Sequence, residues 1–181
     1  MLHYGGSEVI AVKSKYLALC ALFAALTAVC AWICVPAGAV TFTLQSFSVS
    51  LCLLLLGGKW GSVSVFVYLM LGLVGLPVFS GFRGGLGMLL GPTGGYLTGF
   101  ALWALSFWGI TALFGKKSRL PAVIIGQLLC YACGTAWMVL SYTQTGVIEI
   151  MLTCVMPYLL PDALKITLAW LLAKRLMPRI C

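Results

Sequence analysis

Long apolar runs fill most of this chain and constrain its fold more than any other feature. Hydrophobic residues make up 62% of the 181 positions, charged residues only 8%, and the mean hydropathy is +1.12. A soluble domain of this length cannot bury so much apolar surface. Within a bilayer the backbone must satisfy its own polar groups, which leaves helices or a closed barrel. The runs are too continuous for alternating barrel strands, so the sequence predicts an all-α, polytopic membrane protein of one domain.

Six apolar segments are candidates for membrane helices. They cover residues 16–35, 43–57, 60–79, 94–114, 120–141 and 148–173. Residues 1–15 are predicted to form a cytoplasmic tail and residues 16–178 the six-helix domain. The first apolar segment is about 20 residues long, which suits a membrane helix better than a cleaved signal peptide. The tight break at residues 57–61 predicts that the second and third helices are antiparallel neighbours.

The net charge of +8 is distributed as in membrane proteins rather than as in nucleic-acid-binding proteins. If the N-terminus is cytoplasmic, nine of the eleven basic residues fall on the cytoplasmic side: Lys13, Lys15, Lys59, Lys116, Lys117, Arg119, Lys174, Arg175 and Arg179. Arg83 then lies outside and Lys165 lies within a helix. This positive-inside pattern explains the charge without nucleic acid and predicts that both termini are cytoplasmic.

An acid and a base interrupt the last apolar segment. Asp162 is one of only three acidic residues in the chain, and Lys165 follows it by one helical turn. Lys165 lies nine residues before Lys174, which marks the membrane surface, or about 14 Å at the helical rise of about 1.5 Å per residue. Burying an ion at such a depth costs roughly 2.5–3.5 kcal/mol, so we expect this pair to carry function. The alternative is an ion pair that only fixes the helix.

The prolines of the same segment predict where its helix is interrupted. Pro157 and Pro161 favour a short outer helix, a break, and a new helix that begins near Pro161. Asp162 and Lys165 would then occupy the first turns of that helix. The positive end of the helix would favour an anionic ligand there.

Residues 75–95 are rich in both glycine and apolar side chains. Glycine allows close approach of the backbone to a ligand, and irregular backbone at membrane depth is tolerated where it is buried or lines a cavity. We therefore predict a re-entrant outer loop that caps a cavity, with a connector that binds nothing as the alternative.

In the first helix, the AxxxA spacings of Ala21 with Ala25 and of Ala24 with Ala28 predict either packing within the bundle or a docking face for another subunit.

Six short motifs occur together in this chain: Ala24-Ala-Leu-Thr-Ala-Val, Phe42-Thr-Leu-Gln-Ser, Gly72-Leu-Val-Gly-Leu-Pro-Val-Phe, Gly84-Gly-Leu-Gly, Gly91-Pro-Thr-Gly-Gly-Tyr and Pro161-Asp-Ala-Leu-Lys. In this combination, over roughly residues 15–178, the chain resembles the BioY family, the biotin-binding S components of energy-coupling factor (ECF) transporters. This resemblance implies an S-component-like bundle in the bacterial cytoplasmic membrane that captures biotin from outside. A coupling transmembrane subunit and two ATPase subunits would drive uptake, although some family members are thought to work without them. The alanine positions would then contact the coupling subunit.

The resemblance also implies roles for individual residues. Lys165 would bind the biotin carboxylate, and Asp162 would orient the ammonium or accept from the ureido N–H groups. The other predicted substrate-binding residues are Arg83 for the anion, Gln45 for the ureido group, Phe79 and Tyr96 as apolar walls, and Gly84 and Gly85 in the capping loop. For Gln45, Phe79 and Tyr96, simple packing is the alternative. No cofactor is expected beyond the transported substrate.

Other functions are weighed against this one. An integral membrane enzyme would need catalytic groups, and the sequence offers no paired carboxylates or nucleophile with a base. The only histidine is His3, so no zinc site is expected, and the CxxC of Cys130 and Cys133 is best explained as helix packing. No P-loop motif is present, so ATP-driven work would need another protein. An S component for a different vitamin remains open.

Overall fold

The computed structural model describes residues 4–37, 40–141 and 146–180. Helices dominate this part of the chain: α1 Tyr4–Trp32, α2 Gln45–Leu73, α3 Leu86–Leu90, α4 Gly94–Phe114, α5 Arg119–Ser141, α6 Val147–Cys154 and α7 Met156–Ile180. A 3-10 turn at Lys116–Ser118 joins α4 to α5. The predicted tail is helical from Tyr4 onward. Residues 142–145, between α5 and α6, lie outside the described residues.

The element α2 consists of two antiparallel arms. Gly57 has a φ of +76°, which reverses the chain between residues 45–56 and 58–73. The thiol of Cys52 donates to the carbonyl of Gly61 with a separation of 3.8 Å. A continuous helix would hold these two residues about 14 Å apart. At the far end of the arms, the amide of Gln45 donates to the hydroxyl of Tyr68. The predicted antiparallel packing of the two arms is therefore confirmed.

Within the described part of the chain, four helices are long and apolar enough to cross a membrane: Val12–Trp32, Gln45–Leu73, Gly94–Phe114 and Lys116–Ser141. The pair α6 and α7, bent by 42° at the break between them, makes a fifth candidate. The predicted position of that break is wrong, because α7 begins at Met156 and continues through Pro161. Pro157 lies in the first turn, where a missing N–H costs nothing, and Pro161 removes one backbone hydrogen bond. Asp162 consequently lies in the second turn of α7.

A short β-hairpin joins α1 to α2. Strand β1, Cys34–Ala37, pairs antiparallel with β2, Val40–Thr43, and residues 38 and 39 are outside the described part. The all-α prediction is wrong for this segment. The hairpin brings Thr43 directly to the start of α2, so its backbone carbonyl is available to side chains of α7.

Small residues allow the helices around the core to approach closely. A Cβ added to Gly99 of α4 would lie 2.8 Å from the sulfur of Cys130 and 3.0 Å from its Cα, so α4 and α5 touch at this point. In α1, Ala24 and Ala28 are buried in the core of the bundle, whereas Ala21 and Ala25 are exposed. Of the two alanine pairs, only Ala21 and Ala25 are thus free to meet another subunit.

Basic residues gather at one end of the bundle. Lys59, Lys116 and Arg119 line a single depression, and Arg119 donates from Nη1 to the carbonyl of Leu54 at 3.0 Å. Three of the cations predicted to lie on the cytoplasmic side therefore share one end of the bundle. The hairpin and the glycine-rich segment lie at the opposite end, where Trp32 donates to the carbonyl of Pro77.

Candidate functional site

Asp162 and Lys165 form a buried ion pair on α7. Each residue is only 6% exposed, and the Nζ of Lys165 lies 2.8 Å from the Oδ1 of Asp162. Lys165 also donates to the carbonyl of Thr43 at 2.6 Å and to the hydroxyl of Ser46 at 3.2 Å. Its Nζ lies 3.9 Å from the centre of the Phe42 ring, which favours the positive charge. The three N–H groups of the ammonium are thus all in use within the protein.

The carboxylate of Asp162 is equally well satisfied. Its Oδ1 accepts from Ser46 at 2.9 Å as well as from Lys165, and its Oδ2 accepts from Gln127 at 3.2 Å and from the hydroxyl of Tyr131. A carboxylate offers about four acceptor positions, and all four are filled. A ligand can bind to this pair only by replacing one of these internal hydrogen bonds.

A cavity lies against the ion pair and is lined by four stretches of the chain. The atom-free space at this site, about 670 Å³, includes space that is open to solvent. Polar side chains gather around Asp162, and the remaining wall is mostly apolar and aromatic. The lining residues are Thr41, Thr43, Gln45, Ser46, Phe79, Ser80, Met88, Thr93, Tyr96, Leu97, Phe100, Gln127, Cys130, Tyr131, Cys154, Tyr158, Asp162 and Lys165. An apolar pocket with a few convergent polar groups is the usual form of a small-molecule site.

Three further residues of the sequence prediction lie in this wall. Phe79 is 1% exposed and meets the Tyr68 ring edge-on, with ring centres 5.7 Å apart. Tyr96 donates from its hydroxyl to the carbonyl of Cys154 at 3.4 Å. Both ends of the Gln45 amide have a partner, because its oxygen accepts from Thr43 at 2.9 Å and its nitrogen donates to Tyr68.

The other predicted residues lie outside the cavity lining. Gly85 has a φ of +89° and donates its N–H to the carbonyl of Gly72 at 2.7 Å, which shapes the turn before α3. A Cβ on Gly84 would lie 2.1 Å from the carbonyl oxygen of Leu76, so this position also serves the turn. Arg83 is exposed and lines a neighbouring depression. That depression shares Thr41, Ser80, Met88 and Thr93 with the cavity, which places Arg83 just beyond the wall.

Sequence reasoning missed several polar residues of the site. Ser46, Gln127 and Tyr131 all contact Asp162 directly. The argument that singled out Asp162, a polar group inside an apolar helix, applies equally to Gln127. Ser46 belongs to the Phe42-Thr-Leu-Gln-Ser motif, and the backbone of Thr43 in the same motif accepts from Lys165.

The fold, with its long apolar helices, defines a multi-pass membrane protein with a cavity among its helices. Residues 7–180 match the sequence profile described as the BioY family, so the chain belongs to the BioY family. It is 39% identical over 165 residues to the "Probable biotin transporter BioY" of Pyrococcus horikoshii, covering 91% of this chain and 98% of that protein. It is also 39% identical over 160 residues to the "Biotin transporter BioY" of Thermotoga maritima, covering 86% and 91% of the two chains.

A solved structure shares the fold. It is described as the crystal structure of the S-component for biotin from an ECF-type ABC transporter. The TM-score is 0.82 with 25% sequence identity, and the alignment covers 92% of each chain. The family and S-component resemblance predicted from the sequence are thereby confirmed.

Proposed function

We propose that this protein captures biotin and mediates its uptake across the cytoplasmic membrane. The observation that carries the proposal is the buried pair of Asp162 and Lys165 in the wall of a cavity, in a chain of the BioY family. A charged pair in apolar surroundings is costly, and a polar ligand bound beside it offsets that cost.

The cavity matches the chemistry of biotin. Biotin has a ureido group and a carboxylate at opposite ends of a compact apolar ring and chain. The cluster around Asp162 can bind a polar end, and Phe79, Tyr96 and Phe100 provide apolar walls for the remainder. Lys165 donates to a biotin oxygen in this proposal: the carboxylate is the assignment from the sequence, and the ureido oxygen is the other acceptor that biotin carries.

The spanning arrangement supports a capture role. In this proposal each arm of α2 crosses the membrane and the bent pair of α6 and α7 makes one span, which would bring the number of spans to six. The positive-inside pattern would then place both termini on the cytoplasmic side. The glycine-rich segment contributes Phe79, Ser80, Met88 and Thr93 to the cavity wall, so it would act as a re-entrant cap on the outer side.

Titration of the detergent-solubilised protein with biotin tests the proposal. We expect saturable, high-affinity binding of biotin, weaker binding of desthiobiotin, and none of a chemically unrelated vitamin such as thiamine. Tight binding of another vitamin with no response to biotin would instead identify an S component of different specificity.

The close packing of Gly72 against Phe79 gives a prediction about the cap. A Cβ at residue 72 would lie 2.0 Å from the Cζ of Phe79, and the buried ring has to leave its place in the cavity wall. We expect Gly72→Ala to weaken biotin binding roughly tenfold, about 1.4 kcal/mol, although alanine is the better helix former. Calorimetric titration measures the change.

Gly109→Ala is the matched control, since this glycine is also helical and a Cβ there meets nothing within 4 Å. It should leave biotin affinity unchanged and raise the unfolding temperature slightly. Equal affinities in Gly72→Ala and Gly109→Ala would show that the position of Phe79 does not matter for binding.

A separate ECF module of a coupling subunit and two ATPases is the proposed energy source. Ala21 and Ala25 form the exposed small face of α1 that such a subunit could approach closely. We expect Ala25→Leu to reduce biotin uptake in cells that supply the module, with biotin binding by the purified protein unchanged. Ala132→Leu, at an exposed position of α5, should reduce neither. Full uptake with Ala25→Leu would exclude this face from docking.

A further inference from the structure

Gln127 carries an unused hydrogen-bond acceptor in the wall of the cavity. The residue lies in α5 and is 6% exposed. In the described part of the chain, only two buried side-chain nitrogen or oxygen atoms have no hydrogen-bond partner, the Oε1 of Gln127 and the Nε1 of Trp103. Of these two residues, only Gln127 lines the cavity. Buried polar atoms are nearly always paired, so this one calls for an explanation.

The orientation of the amide follows from its neighbour. The Nε2 of Gln127 donates to the Oδ2 of Asp162 at 3.2 Å. If the amide were turned round, its oxygen would face a carboxylate oxygen, and two acceptors repel each other. The nitrogen must therefore face Asp162, and Oε1 is left to accept from something else.

The surroundings of Gln127 within the protein do not supply the missing donor. Behind Gln127, a crevice between α5 and α7 is lined mainly by apolar residues, among them Leu128 and Leu159. Lipid acyl chains that reach this crevice carry no hydrogen-bond donor. The hydroxyls of the crevice already donate elsewhere, that of Thr167 to the carbonyl of Ala163 at 2.8 Å and that of Tyr131 to Asp162. The indole N–H of Trp170 also lines the crevice, but Oε1 of Gln127 has no hydrogen-bond partner among the described residues. A ligand in the cavity can supply the missing donor.

We propose that Gln127 accepts a hydrogen bond from a ring N–H of the ligand and so selects for a cyclic urea. This inference rests on the proposed function. At neutral pH the only N–H donors of biotin are those of its ureido ring, since the carboxylate has none. Asp162, the obvious competitor, has its acceptor positions filled by four internal donors, whereas the Oε1 of Gln127 can accept without breaking any bond. Gln127 is thus the specificity-determining acceptor of the site.

A cycle that combines a protein change with a ligand change tests this role. The protein variant is Gln127→Met, which keeps the length of the side chain and removes the acceptor. The ligands are biotin and its two derivatives that carry a methyl group on one or the other ureido nitrogen. In the unaltered protein, we expect methylation of one of the two nitrogens to weaken binding about tenfold. Gln127→Met should weaken the binding of unmethylated biotin by the same factor. The methylated ligand should bind Gln127→Met no more weakly than biotin does.

Gln45→Met is the matched control, because Gln45 lines the same cavity but its amide oxygen already accepts from Thr43 and its nitrogen donates to Tyr68. It should leave the effect of methylation as large as in the unaltered protein. A methylation penalty that persists in Gln127→Met, or the absence of any penalty for either nitrogen in the unaltered protein, would overturn the inference. A lack of biotin binding by the unaltered protein would overturn the proposed function as well, so the two failures are distinct.

Discussion

Replacement of Lys165 by alanine is expected to weaken biotin binding at least about tenfold, equivalent to about 1.4 kcal/mol. Among the described residues that line the cavity, Lys165 is the only cation, and its Nζ already lies among oxygen acceptors that a ligand oxygen can replace. Truncation removes that donor, while Asp162 keeps hydrogen bonds from Ser46, Gln127 and Tyr131. The variant should therefore still insert and purify. Calorimetric titration of the purified protein measures the loss.

A matched variant and a second ligand make this test specific. Lys174→Ala removes an exposed cation from the same helix and should leave biotin affinity unchanged. Biotin amide lacks the charged carboxylate. If Lys165 binds the carboxylate, biotin amide should bind the unaltered protein more weakly than biotin does, and Lys165→Ala should weaken the binding of biotin amide only a little further. If Lys165→Ala weakens the binding of both ligands equally, Lys165 would instead be assigned to the ureido oxygen. Unchanged biotin affinity in Lys165→Ala would show that neither group is bound by this lysine.

Replacement of Asp162 by alanine is expected to cause the largest loss of stability. It leaves the ammonium of Lys165 without its counter-ion in the interior and removes the acceptor of Gln127 and Tyr131. Breaking one partner of a buried pair typically costs about 3–5 kcal/mol. Thermal unfolding of the ligand-free protein in detergent should show a clearly lower midpoint for Asp162→Ala than for Lys165→Ala.

Removal of both charges separates stability from binding. In the double variant Asp162→Ala with Lys165→Met, no charge is left unpaired, so we expect most of the lost stability to return. Biotin binding should stay weakened at least about tenfold, as in Lys165→Ala, because the donor of Lys165 is still missing. A double variant as unstable as Asp162→Ala alone would show that the unpaired ammonium is not the cause of the instability.

The features predicted correctly from the sequence depend on local chemistry. Asp162 and Lys165 are recognisable because they interrupt an apolar helix at a depth where charge is costly, one turn apart. The reversal at Gly57 is recognisable because it lies in a run of glycine between two apolar segments. Both predictions need no knowledge of distant parts of the chain.

The features that were missed depend on how distant segments meet. The contact of Gln127 with Asp162 joins residues 35 positions apart, and only the relative rotation of α5 and α7 brings them together. The AxxxA spacings in α1 identify two helix faces that carry small residues. The spacing alone does not predict which of them is buried, and in the structure Ala24 faces the core and Ala25 faces outward. The start of α7 at Met156 likewise differs from the prediction, because proline in a first turn is compatible with a helix.

The most direct test of the central claim is an experimental structure of the protein with biotin bound. The account predicts biotin within the cavity, with a polar end at hydrogen-bonding distance, about 2.7–3.2 Å, from Asp162, Lys165 or Gln127. Biotin bound elsewhere, with the hydrogen bonds around Asp162 and Lys165 unchanged and the cavity empty, would contradict it.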